Sequence, residues 1–386
     1  MARPSRAGTA PLRILHVMDS LALAGMEYGV IKLVNRLDPA RFAPMLCCLR
    51  TQNEATIPLI RKDIPVFEMH RNEGRDWKLV PRLAALMREH SVDLVHSHNW
   101  ATFLYTVLAA RRAPRPVVIH GEHGRESTGT PWKQTLASLV LARFVRHVTT
   151  VSESLSQELV AQWKLRPSRV TTIPNGVDLD RFGASGDSDE LLAELKLDRS
   201  DRVILSIGRL RPVKDYPTLL RAFAIVRRRI PSARLLVLGG DFGTGTRTGL
   251  VGLAEELGVA GATRFIPPRQ DVPDLLRLAD VYVNCSIFEG MSNTILEAMA
   301  AGRPVVASAV GGNPGLVDDR RTGFLFPAGD PDALAQRLSD LLTDEERRLR
   351  MGAEGRRTVE RHHTMERTVE RYGRLYLECT GRGLEA

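Results

Sequence analysis

The chain is poor in cysteine, in aromatic residues and in unbroken apolar sequence. Only four cysteines occur among 386 residues: Cys47, Cys48, Cys285 and Cys379. Two are adjacent in an apolar run and the others lie far away. That spacing fits neither a zinc ligand set nor a disulfide framework, so a reducing compartment is expected. Aromatic residues make up 5% and no recognised nucleic-acid module is present, which argues against nucleic acid as a partner. No uncharged apolar run approaches the ~20 residues that cross a bilayer. The expected location is cytoplasmic, with any membrane contact peripheral, on the inner face. Residues 1–11 (MARPSRAGTAP) carry charge with no apolar stretch behind it, and read as a disordered lead rather than a secretory signal. Acidic residues are outnumbered 45 to 54, for a net charge of +9. Such an excess suits anionic partners, and it suits plain solubility equally well.

What the chain has in abundance is alternation. From Arg13 to Val177, short apolar β-prone runs (RILHVM, APMLCCLR, VDLVHSH, RPVVIHGEH, HVTTVS) alternate with runs of helical spacing. Such alternation predicts a parallel sheet covered by helices on both faces. The polar, turn-rich segment from Asp180 to Asp201 interrupts it. The alternation then restarts with RVILSIGRL and continues through DVYVNCS, NTILEAMAA and PVVASAV. The expected fold is therefore α/β, with two doubly wound Rossmann-like domains and a ligand cleft between them. The expected boundaries are 12–183 for the first domain, 184–200 for a linker and 201–360 for the second. The tail from Asp330 is strongly charged and reads as solvated surface helices, of which 361–386 is a candidate to pack back on the first domain.

The stretch SIFEGMSNTILEAMAAGRPVVAS (286–308) carries two glutamates, Glu289 and Glu297, and no base between them. Ser292 is a good N-cap, and Gly302 and Pro304 close the helix that follows. Unpaired amides of Asn293, Thr294 and Ile295, at the positive end of the helix dipole, would make an anion site. A carboxylate repels phosphate, so Glu297, one turn deeper, is expected to serve the hydroxyls of a ribose. Glu289, in the loop before, would serve a group attached through the phosphates. Arg209 and Lys214, in SIGRLRPVKDYPTL after another strand, are a fork and a point charge suited to a diphosphate. A diphosphate leaves readily once its charge is neutralised, so no acid is needed to protonate it. Three Asp-x-Asp pairs (178/180, 187/189, 330/332) lie in turn-rich segments where Asp bends or caps the chain, so no metal and no other cofactor is expected.

Glu289 and Glu297, followed by LEAMAAGRPVVASAVGGNP, together resemble the donor-site signature of glycosyltransferase family 4, the retaining GT-B enzymes. The resemblance extends through PNGVDLDRF, SIGRLRPVKDYPTLLRAF and TGFLFPAGDP, nearly the whole chain. HGEHGRES and the stretch beginning at Glu289 also resemble sugar transferases of bacterial exopolysaccharide (PEP-CTERM-associated) clusters. The resemblance implies a hexosyltransferase-type enzyme using a nucleotide sugar. Arg209 and Lys214 would hold the diphosphate, Glu289 the transferred sugar and Glu297 the ribose. Thr294 and Ile295 would bind the distal phosphate through their amides. His120 would lie near the reacting face of the sugar, and Gly25 where backbone approaches the diphosphate. Ala24 stands where the family often has a first glycine, and Gly315 where an acid is usual, so no role carries to Gly315. His98, Asn99 and His123 are candidates for the acceptor side, a glycan or lipid-linked hydroxyl. Trp132, Lys133, Arg143 and Arg146 mark a helix that could rest on anionic lipid or pack with snorkelling arginines. An inactive sugar-nucleotide sensor and a sugar-nucleotide epimerase remain open alternatives at this level.

Overall fold

Two all-parallel sheets organise the chain, each formed where the apolar alternation predicts strands. The structure, a computed structural model, describes residues 10–21, 25–52, 56–124, 132–183, 188–241, 243 and 245–383. Most of the expected lead, Ala24, the last three residues of HGEHGRES and residues 242 and 244 lie outside the described residues. By internal contacts the chain divides into two units. The first holds the described residues up to Asn175 together with Met365 onward, and the second holds Gly176–Thr364.

The first unit has strands β1 (Leu12–Met18), β2 (Phe42–Cys48), β3 (Val66–Glu68), β4 (Leu94–His98), β5 (Val117–Glu122), β6 (His147–Thr150) and β7 (Val170–Thr172). Between them run helices α1 (Gly25–Arg36), α2 (Leu79–Glu89), α3 (Trp100–Arg112), α4 (Trp132–Leu141) and α5 (Glu153–Trp163). The order is β3-β2-β1-β4-β5-β6-β7. β1 and β4 are buried at nearly every position, as strands covered on both faces must be.

The second unit has α6 (Ser188–Leu195), β8 (Arg202–Ile207), α7 (Tyr216–Arg229), β9 (Ala233–Leu238), α8 (Thr246–Glu256), β10 (Thr263–Ile266) and α9 (Val272–Leu278). It continues with β11 (Val281–Asn284), α10 (Asn293–Ala300), β12 (Val305–Ser308), α11 (Asn313–Leu316), β13 (Gly323–Phe326), α12 (Pro331–Thr343) and α13 (Glu345–His362). Its strands are ordered β10-β9-β8-β11-β12-β13.

Two boundaries and the burial of one helix differ from expectation. The units part at Asn175–Gly176 rather than near 183, because the Val177 N–H donates to the His363 carbonyl at 2.9 Å and ties the segment to the second unit. Residues 188–195, expected within a linker, form α6, which buries Leu191 and Leu195. The last helix, α14 (Met365–Thr380), is not a solvated surface helix. It buries Met365, Tyr372, Leu375, Tyr376 and Leu377 in a cluster with Leu12, Ile14 and Phe42. At roughly 1.5–3 kcal/mol for each large side chain removed from water, α14 is a principal support of the first sheet.

Candidate functional site

Strand order reverses beside β8 in the second unit, where β9 lies on one side and β11 on the other. Loops leaving the carboxyl ends of two such strands diverge and leave room for a ligand. The loop after β8 carries Arg209 and Lys214, and the loop after β11 carries Glu289 and leads into α10. The sequence-predicted donor residues of this unit are thus gathered at one switch point.

Lys214 Nζ donates to Glu289 Oε2 at 2.7 Å, with both side chains mostly buried. Ser286 Oγ donates to the same oxygen at 3.0 Å. Glu289 is therefore aimed and ionically paired, a partnership that spacing along the chain cannot reveal. Its backbone is held as firmly. The Glu289 carbonyl accepts from the Gly312 N–H at 3.0 Å. Gly311, at φ +51°, approaches so closely that a Cβ there would lie 1.8 Å from the Glu289 carbonyl oxygen. Lys214 ends a short 3₁₀ turn whose carbonyl takes the Cys285 thiol at 3.1 Å, tying the two loops together. Arg209 stands exposed just beyond β8.

α10 begins at the expected cap. Ser292 Oγ accepts from the Ile295 N–H at 3.3 Å, and Asn284 Nδ2 donates to the same oxygen at 3.3 Å. This corrects one expectation: the Ile295 amide is taken up by the cap and does not stand open for a phosphate. Thr294 accepts from the Tyr282 hydroxyl at 2.6 Å, and Asn293 and Thr294 lie half-buried in the first turn. Glu297 is half-buried between the wholly buried Leu296 and Ala298. Burial pushes the Tyr282 hydroxyl above its ordinary range, and the Glu289 and Glu297 carboxylates push it further. Both acids therefore act on one point beside α10. Asp330 of the last Asp-x-Asp pair caps α12 by accepting from the Ala333 N–H at 2.9 Å, so it has a structural task.

The first unit has its own reversal, between β1 and β4, and there the histidines gather. His16 Nδ1 lies 3.1 Å from His98 Nε2, and His98 Nδ1 lies 2.9 Å from His123 Nε2. His96 Nδ1 lies 2.9 Å from the Tyr376 hydroxyl of α14. Asn99, at φ +59°, accepts from the His123 N–H at 3.0 Å through Oδ1. His98, a candidate for direct acceptor contact, is almost wholly buried; it reaches the surface only through His123. His120 is likewise misplaced as a group facing substrate. Its ring is 0% exposed, lies 3.8 Å from the Phe103 ring, and is held between Ser97 Oγ at 2.8 Å and Glu122 Oε2 at 3.3 Å. The half-buried histidine past the carboxyl end of β5 is His123. Gly25 opens α1 and is exposed. Among the described residues, the one group of three or more metal-ligating side chains close enough to share an ion is His16, His96 and His98; Glu289 and Glu297 belong to none.

Residues 187–358 match the family model for glycosyl transferases group 1, and residues 23–181 match that for Glycosyltransferase Family 4. The D-inositol 3-phosphate glycosyltransferase of Salinispora tropica is 33% identical over 94% of this chain and 80% of its own length. The chain belongs to glycosyltransferase family 4. A glycosyltransferase of the same description from Streptomyces scabiei is 34% identical over 68% of this chain, which spans 62% of that relative's length. Among solved structures, a glycosyltransferase of Rickettsia africae ESF-5 superposes with a TM-score of 0.86 at 19% identity, covering 97% of this chain and all of that one. Anabaena HepE, in complex with UDP and glucose, superposes with a TM-score of 0.84 at 22% identity, covering 95% and 100%. These likenesses, with two parallel α/β sheets, establish the GT-B fold of the family. No helix among the described residues is long and apolar enough to cross a membrane.

Proposed function

We propose that the chain is a retaining, metal-independent hexosyltransferase that takes a sugar from a nucleotide-diphosphate donor to a hydroxyl acceptor, a lipid-linked or growing glycan of exopolysaccharide synthesis. The observation that carries this reading is the Lys214–Glu289 pair set beside α10 and Glu297 at the β8/β11 switch point. A diphosphate takes the cation and the first-turn dipole. Its arrival draws Lys214 toward phosphate and frees Glu289 to accept from sugar hydroxyls, while Glu297 accepts from the ribose diol. Gly25 lets backbone approach the diphosphate in the first unit, and Arg209 adds a second cation.

In the transfer the bond from the anomeric carbon to the leaving phosphate oxygen breaks. The acceptor oxygen bonds to that carbon from the same face, and its proton passes to the departing phosphate. Lys214, Arg209 and the α10 terminus stabilise the charge that develops on the diphosphate. His123, in place of His120, is the first unit's group for a sugar or acceptor oxygen, with Asn99 fixing its backbone. The names of the inositol phosphate relatives make a phosphorylated polyol a second acceptor to test.

A peripheral membrane contact goes with a lipid-linked acceptor. Trp132, Leu136, Val140 and Phe144 are exposed at four-residue spacing along α4 and the turn after it. Arg143 and Arg146 are exposed beside them, and no acid occurs between 132 and 152. Such a face suits an anionic bilayer surface.

The test supplies UDP-, GDP- and ADP-hexoses, with a polyprenyl-linked glycan or D-inositol 3-phosphate as acceptor, in the presence of a chelator. NMR then reads the product's anomeric configuration. The reading expects transfer with the donor's configuration kept. An inverted linkage, dependence on added metal, release of an altered nucleotide sugar, or binding without turnover would each overturn it.

A further inference from the structure

Three imidazoles in a row, each bonded to the next, are more than a reading of single histidines requires. His16 on β1, His98 at the end of β4 and His123 after β5 form one chain of N···N contacts at 3.1 and 2.9 Å. The His16 and His98 rings are nearly parallel, 8° apart, with centroids 5.4 Å from each other. Parallel rings that far apart and joined at 3.1 Å through their edges share a plane; they do not stack. The facing nitrogens at 3.1 and 2.9 Å meet the geometry of hydrogen bonds.

A neutral imidazole has one donor and one acceptor nitrogen. The chain can therefore run in only two directions. In one, His16 Nδ1–H donates to His98 Nε2, His98 Nδ1–H donates to His123 Nε2, and His123 is left with its proton on Nδ1. In the other, every proton moves to the opposite nitrogen, and His16 must keep a proton on Nε2. His16 Nε2 is buried and finds no partner among the described residues. A buried N–H without an acceptor is among the rarest groups in proteins, and a bare lone pair is tolerated better. The dead end at His16 thus selects the first direction.

We infer that His16 and His98 are positioning residues that lock His123 in the tautomer bearing its proton on Nδ1, so that His123 meets an oxygen of the sugar or acceptor as a hydrogen-bond donor. This rests on the proposed transfer and names how its first-unit group works. Burial holds His16 and His98 well below the ordinary imidazole range, which keeps the chain neutral and its direction defined. Gly121 supplies the space: a Cβ there would lie 2.9 Å from His96 Nε2 and 3.2 Å from His123 Nε2. A side chain at that position would crowd both rings.

The experiment is ¹⁵N NMR of the wild-type full chain labelled at histidine, which reads the protonated nitrogen of each ring. The expected spectrum shows His123 and His98 with Nδ1–H and bare Nε2 at neutral pH. The second arm is His98→Phe, expected to release His123 into tautomer exchange and to lower kcat by about 10-fold with KM little changed, less than the full loss of one donor because the donor tautomer stays partly populated. In a His123→Ala background, His98→Phe should cost nothing further. An Nε2–H tautomer at His123, or one unmoved by His98→Phe, would overturn the inference. So would a visible d–d spectrum on adding Co²⁺, since it would mean that the rings converge on an ion. If the tautomer responds as expected but the wild-type chain transfers no sugar, the functional reading fails and the tautomer lock stands.

Discussion

Lys214 Nζ and Glu289 Oε2 lie 2.7 Å apart, 75 residues apart in sequence, and each is the other's counter-charge in the absence of ligand. Each is also the group that a nucleotide sugar would need, the cation for phosphate and the anion for sugar hydroxyls. Under the proposed function, the pair would exchange its mutual contact for ligand contacts when a nucleotide sugar binds.

Removing either partner strands the other. Lys214→Ala should lower kcat/KM by about 10²–10³-fold, the scale of losing one charge-stabilising donor. Glu289→Ala should do comparable damage. In thermal melts the double variant should unfold no lower than the worse single variant, because each single leaves a mostly buried charge unpaired. Additive destabilisation across that cycle would show that the two do not interact.

Gly311→Ala should be costly although the change is one methyl. The new Cβ would sit 1.8 Å from the Glu289 carbonyl oxygen at a φ of +51°, and backbone cannot yield as a side-chain tip can. The expected result is a clearly lower melting temperature and loss of transfer. Gly315→Ala in the same segment, where a Cβ would meet nothing within 4 Å, is the control expected to melt like the wild type.

Stability should fall on acidification before the carboxylates titrate. Burial holds His123 at about 4 and His16 at about 3, whereas in the unfolded chain both titrate near 6.5. Between those values the unfolded chain binds more protons than the folded one, so the contribution is full above pH 6.5 and drains as pH falls toward 4. Denaturant midpoints at pH 7.5, 6.0 and 5.0 should decrease in that order. A flat midpoint across this window would mean that the histidines are not buried neutral.

Trp132→Ala/Leu136→Ala should abolish flotation with phosphatidylglycerol vesicles while leaving transfer to a soluble acceptor intact. Binding unchanged in that variant, or equal binding to neutral phosphatidylcholine vesicles, would remove the exposed face of α4 from the account.

The alternation of apolar strands and helices was enough to read both sheets, since period and length are local properties. The cap at Ser292 and the placing of Arg209, Lys214 and Glu289 were legible for the same reason: each follows a strand end, and Glu297 lies one turn into the helix that the cap opens. What escaped was contact across strands. Nothing in SIFEG announces Lys214, and nothing in RILHVM announces that His16 meets His98. Charge in α14 masks its apolar stripe, in which Met365, Tyr372 and Tyr376 keep helical spacing; a helix packed back on the first domain is one of the two expectations for this segment. The resemblance alone points to His120 for the reacting face of the sugar. The signal that favours His123 is Gly124 directly after it, which marks where the strand has ended and side chains can reach solvent. The cap at Ser292 itself implies that the Ile295 amide, three residues on, is taken.

The most direct measurement is calorimetric titration of UDP, GDP and ADP, without divalent metal, into the wild type, Lys214→Ala and Glu297→Ala. The account predicts that one nucleotide binds the wild type, and that each substitution weakens it by about 10–100-fold, the worth of hydrogen bonds to a charged group. Undiminished affinity in both variants would place the nucleotide elsewhere and contradict the donor site described.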